Sequence, residues 1–86
     1  MSRRSVADRK SFAIRLEVVR RELGIESVKE FLKEVRDRAG LEISYEAARR
    51  YHLDRASVKY LAAVSKAFDV SLDYLFLGEE PVFRER

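Results

Sequence analysis

The chain has no cysteine, one proline, three glycines and one histidine in 86 residues. Without cysteine there is no disulfide that would require an oxidising compartment and no thiolate to hold a metal. A single histidine, His52, leaves no second ligand at metal spacing, and it reads as a surface or cap residue. A Ser/His/Asp set, paired metal ligands and a glycine-rich phosphate cradle are all missing, so neither an enzyme nor a cofactor is expected. No apolar run approaches the roughly 18 residues that a spanning helix needs. The opening MSRRSVADRK carries basic residues with no apolar stretch behind them, so it does not read as a secretory signal, and the expected location is the cytoplasm.

What is present is the composition of a helix-rich folded domain, with 47% hydrophobic and 38% charged residues. At this length one domain with a modest core is expected, too small to wall in a catalytic cofactor cavity. The formal net charge is only +3, but it is unevenly placed. Residues 1–38 carry 11 basic and 7 acidic groups, a balance of +4, and residues 61–86 carry 3 and 5, a balance of −2. The basic end is the candidate face for an anion such as phosphate.

Apolar spacing predicts five helices. Phe12, Leu16, Val19 and Leu23 form one stripe of a first helix that ends near Gly24. Ser27 and Glu30 have capping-box spacing, opening a second helix from about Val28 to Arg38 with Val28, Phe31, Leu32 and Val35 inward. Ala39 to Ile43 supplies a C-capping glycine and two apolar residues for the corner. Ser44 then caps a third helix, in which Ala47 and Ala48 permit close approach to a neighbour. Ser57 caps a fourth, with Val58, Leu61, Ala62, Val64 and Phe68 as its apolar positions, and Ser71 starts a short fifth carrying Leu72, Leu75 and Phe76. The tail from Glu79 is expected to be extended or frayed, with Val82 and Phe83 available to a partner. The organisation expected is a basic arm over 1–10, a helical domain over 11–78 and a tail over 79–86.

A cap, turn and second cap between helices 2 and 3 suggest a helix-turn-helix, in which the second helix enters the DNA major groove and the first crosses the backbone. The stretch from Ser57 to Glu80, closing on Leu75-Phe76-Leu77-Gly78-Glu79-Glu80, resembles the last two helices of the Cro and phage-repressor type helix-turn-helix family, often called the XRE type. Ile43-Ser44 and Arg50-Tyr51 are similar to the opening of that family's recognition helix and its later arginine-aromatic pair. The resemblance covers roughly residues 11–80. It implies an all-α, lambda-repressor-like five-helix fold with a recognition helix at about 44–52. Two departures stand out: Ser27 to Gly40 is several residues longer than the family's usual helix 2, and Val28 and His52-Leu53-Asp54 replace the usual Gln and Glu-x-Gly.

On that helix Tyr45, Glu46, Arg49 and Arg50 are the candidates for base contact. Arginine can take guanine O6 and N7 together, glutamate can accept from cytosine N4, and Tyr45 can touch a thymine methyl or stack on a sugar. Glu46 and Arg50 are equally an ordinary helical ion pair, and Tyr51, Phe31, Phe68 and Phe76 sit at core spacing. Candidate phosphate contacts are Ser27, Lys29, Ser44, Arg55, Ser57 and Lys59, and Arg3, Arg4, Arg9 and Lys10 form a candidate arm along DNA. The function expected is a sequence-specific transcriptional regulator, a repressor-like homodimer on double-stranded DNA. The alternative is an interaction module of the same fold that binds a polymerase, a toxin or another regulator.

Overall fold

Four serines decide where four of the helices begin. In a computed structural model that describes residues 9–84, Ser27, Ser44, Ser57 and Ser71 lie in extended backbone, and each hydroxyl accepts the N–H three residues ahead. The acceptor distances are 3.1 Å from Glu30, Ala47 and Tyr60 and 3.3 Å from Tyr74. Each cap satisfies one donor that the first turn of a helix leaves without an intrahelical partner. The described residues form five helices and no strand: α1 (Arg9–Glu22), α2 (Val28–Ala39), α3 (Tyr45–Leu53), α4 (Val58–Phe68) and α5 (Leu72–Leu77). Because α1 already includes Arg9 and Lys10, those two belong to a helix rather than to an arm. Arg3 and Arg4 lie outside the described residues.

The core is built where helical stripes meet. Phe12, Leu16 and Val19 of α1 are buried with Phe31, Leu32 and Val35 of α2, Ala48 of α3, Leu61 and Val64 of α4 and Leu75 of α5. In space α2 packs on α4, α3 on both α1 and α2, and α5 on α1 and α4. The Cα radius of gyration is 12.2 Å. Gly40 ends α2 in the left-handed region at φ 76°, where a side chain would be strained. Leu41 and Ile43 then turn in against the core and close the α2–α3 corner.

The structure corrects two sequence expectations here. In α4 the buried face is Tyr60, Leu61, Val64 and Ala67, whereas Val58 is 50% exposed and Ala62 faces solvent. The inward stripe follows the 60, 64, 67 spacing because the Tyr60 hydroxyl finds a buried partner, as a phenol in a core must. The tail is extended but not frayed. Val70 and Phe83 form an antiparallel bridge, the Ser71 N–H donates to the Val82 carbonyl at 2.8 Å, and the Arg84 N–H donates to that of Asp69 at 2.8 Å. Val82 and Phe83 therefore pack on their own chain. Among the described residues no helix is long and apolar enough to cross a membrane.

Candidate functional site

Helix α3 has two sides with different chemistry. At 3.6 residues per turn, successive side chains are about 100° apart. Tyr45, Arg49, Leu53, Glu46 and Arg50 then occupy one arc of roughly 140°, and Ala47, Tyr51, Ala48 and His52 fill the opposite one. Burial follows this division: Ala48 and His52 are buried, Ala47 and Tyr51 half-buried, and every residue of the first arc is exposed. The four candidate base contacts are thus brought together on one solvent-facing edge, with Tyr45 at 46% exposure on the rim nearest α2 and Arg50 on the far rim. Among the described residues no acid comes within 4.0 Å of Arg49 or Arg50. The Glu46–Arg50 ion pair allowed by the spacing is not formed, and both guanidiniums are presented to solvent.

The inward side is tied down by a polar chain. His52, expected at the surface, is only 3% exposed, and its ring is wedged edge-on against Phe31 at 4.9 Å and Tyr60 at 5.5 Å. Its Nδ1 is 2.8 Å from Glu17 Oε2 on α1, and its Nε2 is 2.8 Å from the Tyr60 hydroxyl on α4. Arg20 grips the same carboxylate with two donors, Nη2 to Oε1 at 2.6 Å and Nε to Oε2 at 3.1 Å. Its Nη1 donates to the carbonyls of Ile25 and Glu26 at 2.9 and 2.8 Å.

The charges fix the direction of the hydrogen bonds. Hydrogen bonding to Arg20 holds the Glu17 carboxyl below its usual range, despite partial burial, so it stays ionised and accepts. Burial lowers the His52 pKa from its ordinary 6.5, against the opposing pull of Glu17, and the ring is neutral. Neutral imidazole beside a carboxylate carries its proton on Nδ1 and accepts at Nε2, so the Tyr60 hydroxyl donates. Burial raises the Tyr60 pKa, which keeps that hydroxyl protonated. One chain of donors therefore joins α3 to α1 and α4. The sequence held a sign of this: Ala48 and His52 are one turn apart, so a buried Ala48 carries His52 inward with it.

The candidate phosphate contacts fall at the two ends of α3. Lys29 lies on exposed α2 surface beside the head of α3, with Ser27 and Ser44 exposed close by. At the other end, exposed Arg55 and Lys59 flank half-buried Ser57 around the α3–α4 corner. The three serine hydroxyls accept in their caps, and each keeps its own hydrogen to donate. Between α2 and the head of α3 runs an open cleft of about 400 Å³ lined by Lys29, Glu30, Leu32, Lys33, Arg36, Ile43 and Tyr45. Lys33 and Arg36 were not expected as site residues. Among the described residues no group of His, Asp or Glu side chains is arranged to hold a metal ion. In comparison with known protein families, curated proteins and solved structures, the chain matches none of them.

Proposed function

We propose that the protein is a sequence-specific DNA-binding regulator of the lambda-repressor-like helix-turn-helix type, acting in the cytoplasm by occupying its site, with α3 laid in the major groove. The observation that carries this reading is the pair of outward guanidiniums of Arg49 and Arg50, which no acid among the described residues pairs, on a helix whose other side is fastened to two neighbours. An arginine without a carboxylate partner is free to take the O6 and N7 of a guanine, a contact worth about 1 to 3 kcal/mol of discrimination. Glu46 on the same edge supplies an acceptor for cytosine N4, and Tyr45 an apolar face for a thymine methyl.

The cations at both ends of α3 support the same reading. A nine-residue helix is about 14 Å long, and a major groove about 12 Å wide has phosphates along both walls. Lys29 with Ser27 and Ser44 would meet one wall, and Arg55, Ser57 and Lys59 the other. One such module reads half a site, so we propose a homodimer on DNA, with half-sites about 34 to 36 Å apart. Leu72 and Leu77, 39% and 42% exposed on α5, supply apolar surface for that pairing. The same two leucines favour a second reading, an interaction module that docks another protein through α5.

Selection from random duplex DNA, run on the native chain and on Arg49→Ala, tests the proposal. The expected result is a defined, palindromic preference whose consensus relaxes at one base position per half-site in the variant. Equal binding to every duplex would overturn it. Loss of a partner on Leu72→Ser and Leu77→Ser, with Arg49→Ala and Arg50→Ala silent, would favour the interaction module.

A further inference from the structure

DNA reading by the outward edge of α3 uses only Lys29 and Tyr45 of the cleft between α2 and α3 and leaves its apolar floor, Lys33 and Arg36 without a role. Its floor is apolar: Leu32 is nearly buried, Ile43 is half-buried, and the Tyr45 ring forms one wall. Its rim is cationic. Lys29, Lys33 and Arg36 are spaced four and three residues apart, which sets all three on one face of α2. Among the described residues Lys29 and Arg36 have no ion pair, and Lys33 has only a 4.0 Å contact with exposed Asp37. Among the described residues of the lining Glu30 is the one acid, against Lys29, Lys33 and Arg36, so the rim is positive by three charges to one. Neither water nor a purely apolar molecule satisfies both parts. An apolar body covers the floor, and an anionic head answers the rim. The volume, about 400 Å³, lies within the roughly 300 to 1,000 Å³ of ordinary small-ligand sites.

We propose that this cleft binds a small amphipathic anion, a flat or branched apolar body bearing one phosphate or carboxylate. The Arg36 guanidinium, planar and forked, takes two oxygens of the head, with Lys29 and Lys33 as point charges beside it. The body lies on Leu32 and Ile43 beneath Tyr45. The assignment goes beyond the DNA reading and does not depend on it, although Tyr45 and Lys29 are shared between the cleft and the proposed DNA contacts.

The test is a titration of the isotope-labelled full chain, followed by amide chemical shifts, with phenyl phosphate as probe and inorganic phosphate and phenol as its separate halves. Saturable shifts confined to residues around Lys29 to Arg36 and Ile43 to Tyr45 are expected, with each half binding at least about tenfold more weakly. Lys33→Glu with Arg36→Glu, both at exposed positions, should weaken phenyl phosphate at least about tenfold and leave the melting temperature within a few degrees. Absence of saturation, shifts centred elsewhere, or equal binding of inorganic phosphate would overturn the assignment. A nucleotide in a DNA strand offers the same chemistry, so a duplex of arbitrary sequence is the last arm. If it reproduces the phenyl phosphate shifts at lower concentration, the cleft is a strand contact and the small-ligand assignment is wrong. Shifts on α3 and around Ser27 and Lys29 that spare Lys33 and Arg36 leave it standing.

Discussion

Replacing Tyr60 by phenylalanine removes a single oxygen from the core. The ring keeps its packing against Tyr51, with centroids 5.2 Å apart, and against His52 at 5.5 Å. No cavity larger than a hydroxyl is left, so the loss of apolar burial is negligible. What is lost is the donor to His52 Nε2, a 2.8 Å hydrogen bond whose acceptor ring is fully buried. An orphaned buried acceptor costs about 1 to 3 kcal/mol. For a domain of this length each kcal/mol shifts the melting temperature by roughly 4 to 8 °C, so Tyr60→Phe should melt roughly 4 to 24 °C lower. Thermal and urea unfolding followed by circular dichroism at pH 7.5 would measure it, with the urea slope unchanged. Combining Tyr60→Phe with His52→Gln should cost less than the sum of the two alone, by about 0.5 kcal/mol or more, because both delete the same bond. A Tyr60→Phe loss under about 0.5 kcal/mol, or strict additivity with His52→Gln, would refute the polar chain as a fastening of α3.

Acid should loosen the same chain in two windows. Burial lowers the folded His52 pKa below 6.5, so as pH falls past 6.5 the unfolded chain takes a proton that the folded one refuses; stability is complete above that pH and declines below it. Glu17, held below 4.5 chiefly by Arg20, adds a second loss as pH falls below 4.5. Melting curves from pH 8 to 3 should show both declines, and His52→Gln should abolish the upper one; a native melting temperature flat from pH 7 to 5 would contradict the neutral, buried ring. Ser44→Ala should lose about 1 kcal/mol in urea unfolding and Ser44→Gly only a few tenths, and equal losses would argue against the hydroxyl cap. Gly78→Ala should destabilise by about 1 kcal/mol or more, since φ is +76° and the added Cβ would stand 3.2 Å from Arg15 Nη2; a melting temperature unchanged or raised would refute that strain.

The helix starts were legible because capping is local: a serine and the N–H three residues on are enough to place Ser27, Ser44, Ser57 and Ser71. The five-helix, all-α architecture followed from those caps and the apolar stripes. The inward turn of His52 was not read, because a lone polar residue near a helix end matches solvent until its partners are known. Those partners, Glu17 and Tyr60, are 35 and eight residues away on other helices. The phase of α4 was misread for the same reason, since Tyr60 is a good core residue only when its hydroxyl is answered. Likewise Lys33 and Arg36 look like any exposed helical cations until Ile43 and Tyr45 are seen to face them across the α2–α3 corner.

The two-sidedness of α3 also bears on how this protein could change. Everything that fastens the helix, Ala48, His52 and the half-buried Ala47 and Tyr51, is absent from the arc that faces outward. The Tyr45, Glu46, Arg49 and Arg50 positions can therefore be exchanged as a set, by drift or by grafting, at little cost to folding. On the proposed DNA reading, a different preference could be written on four side chains while the rest of the chain stays the same, which makes α3 a ready scaffold for library design.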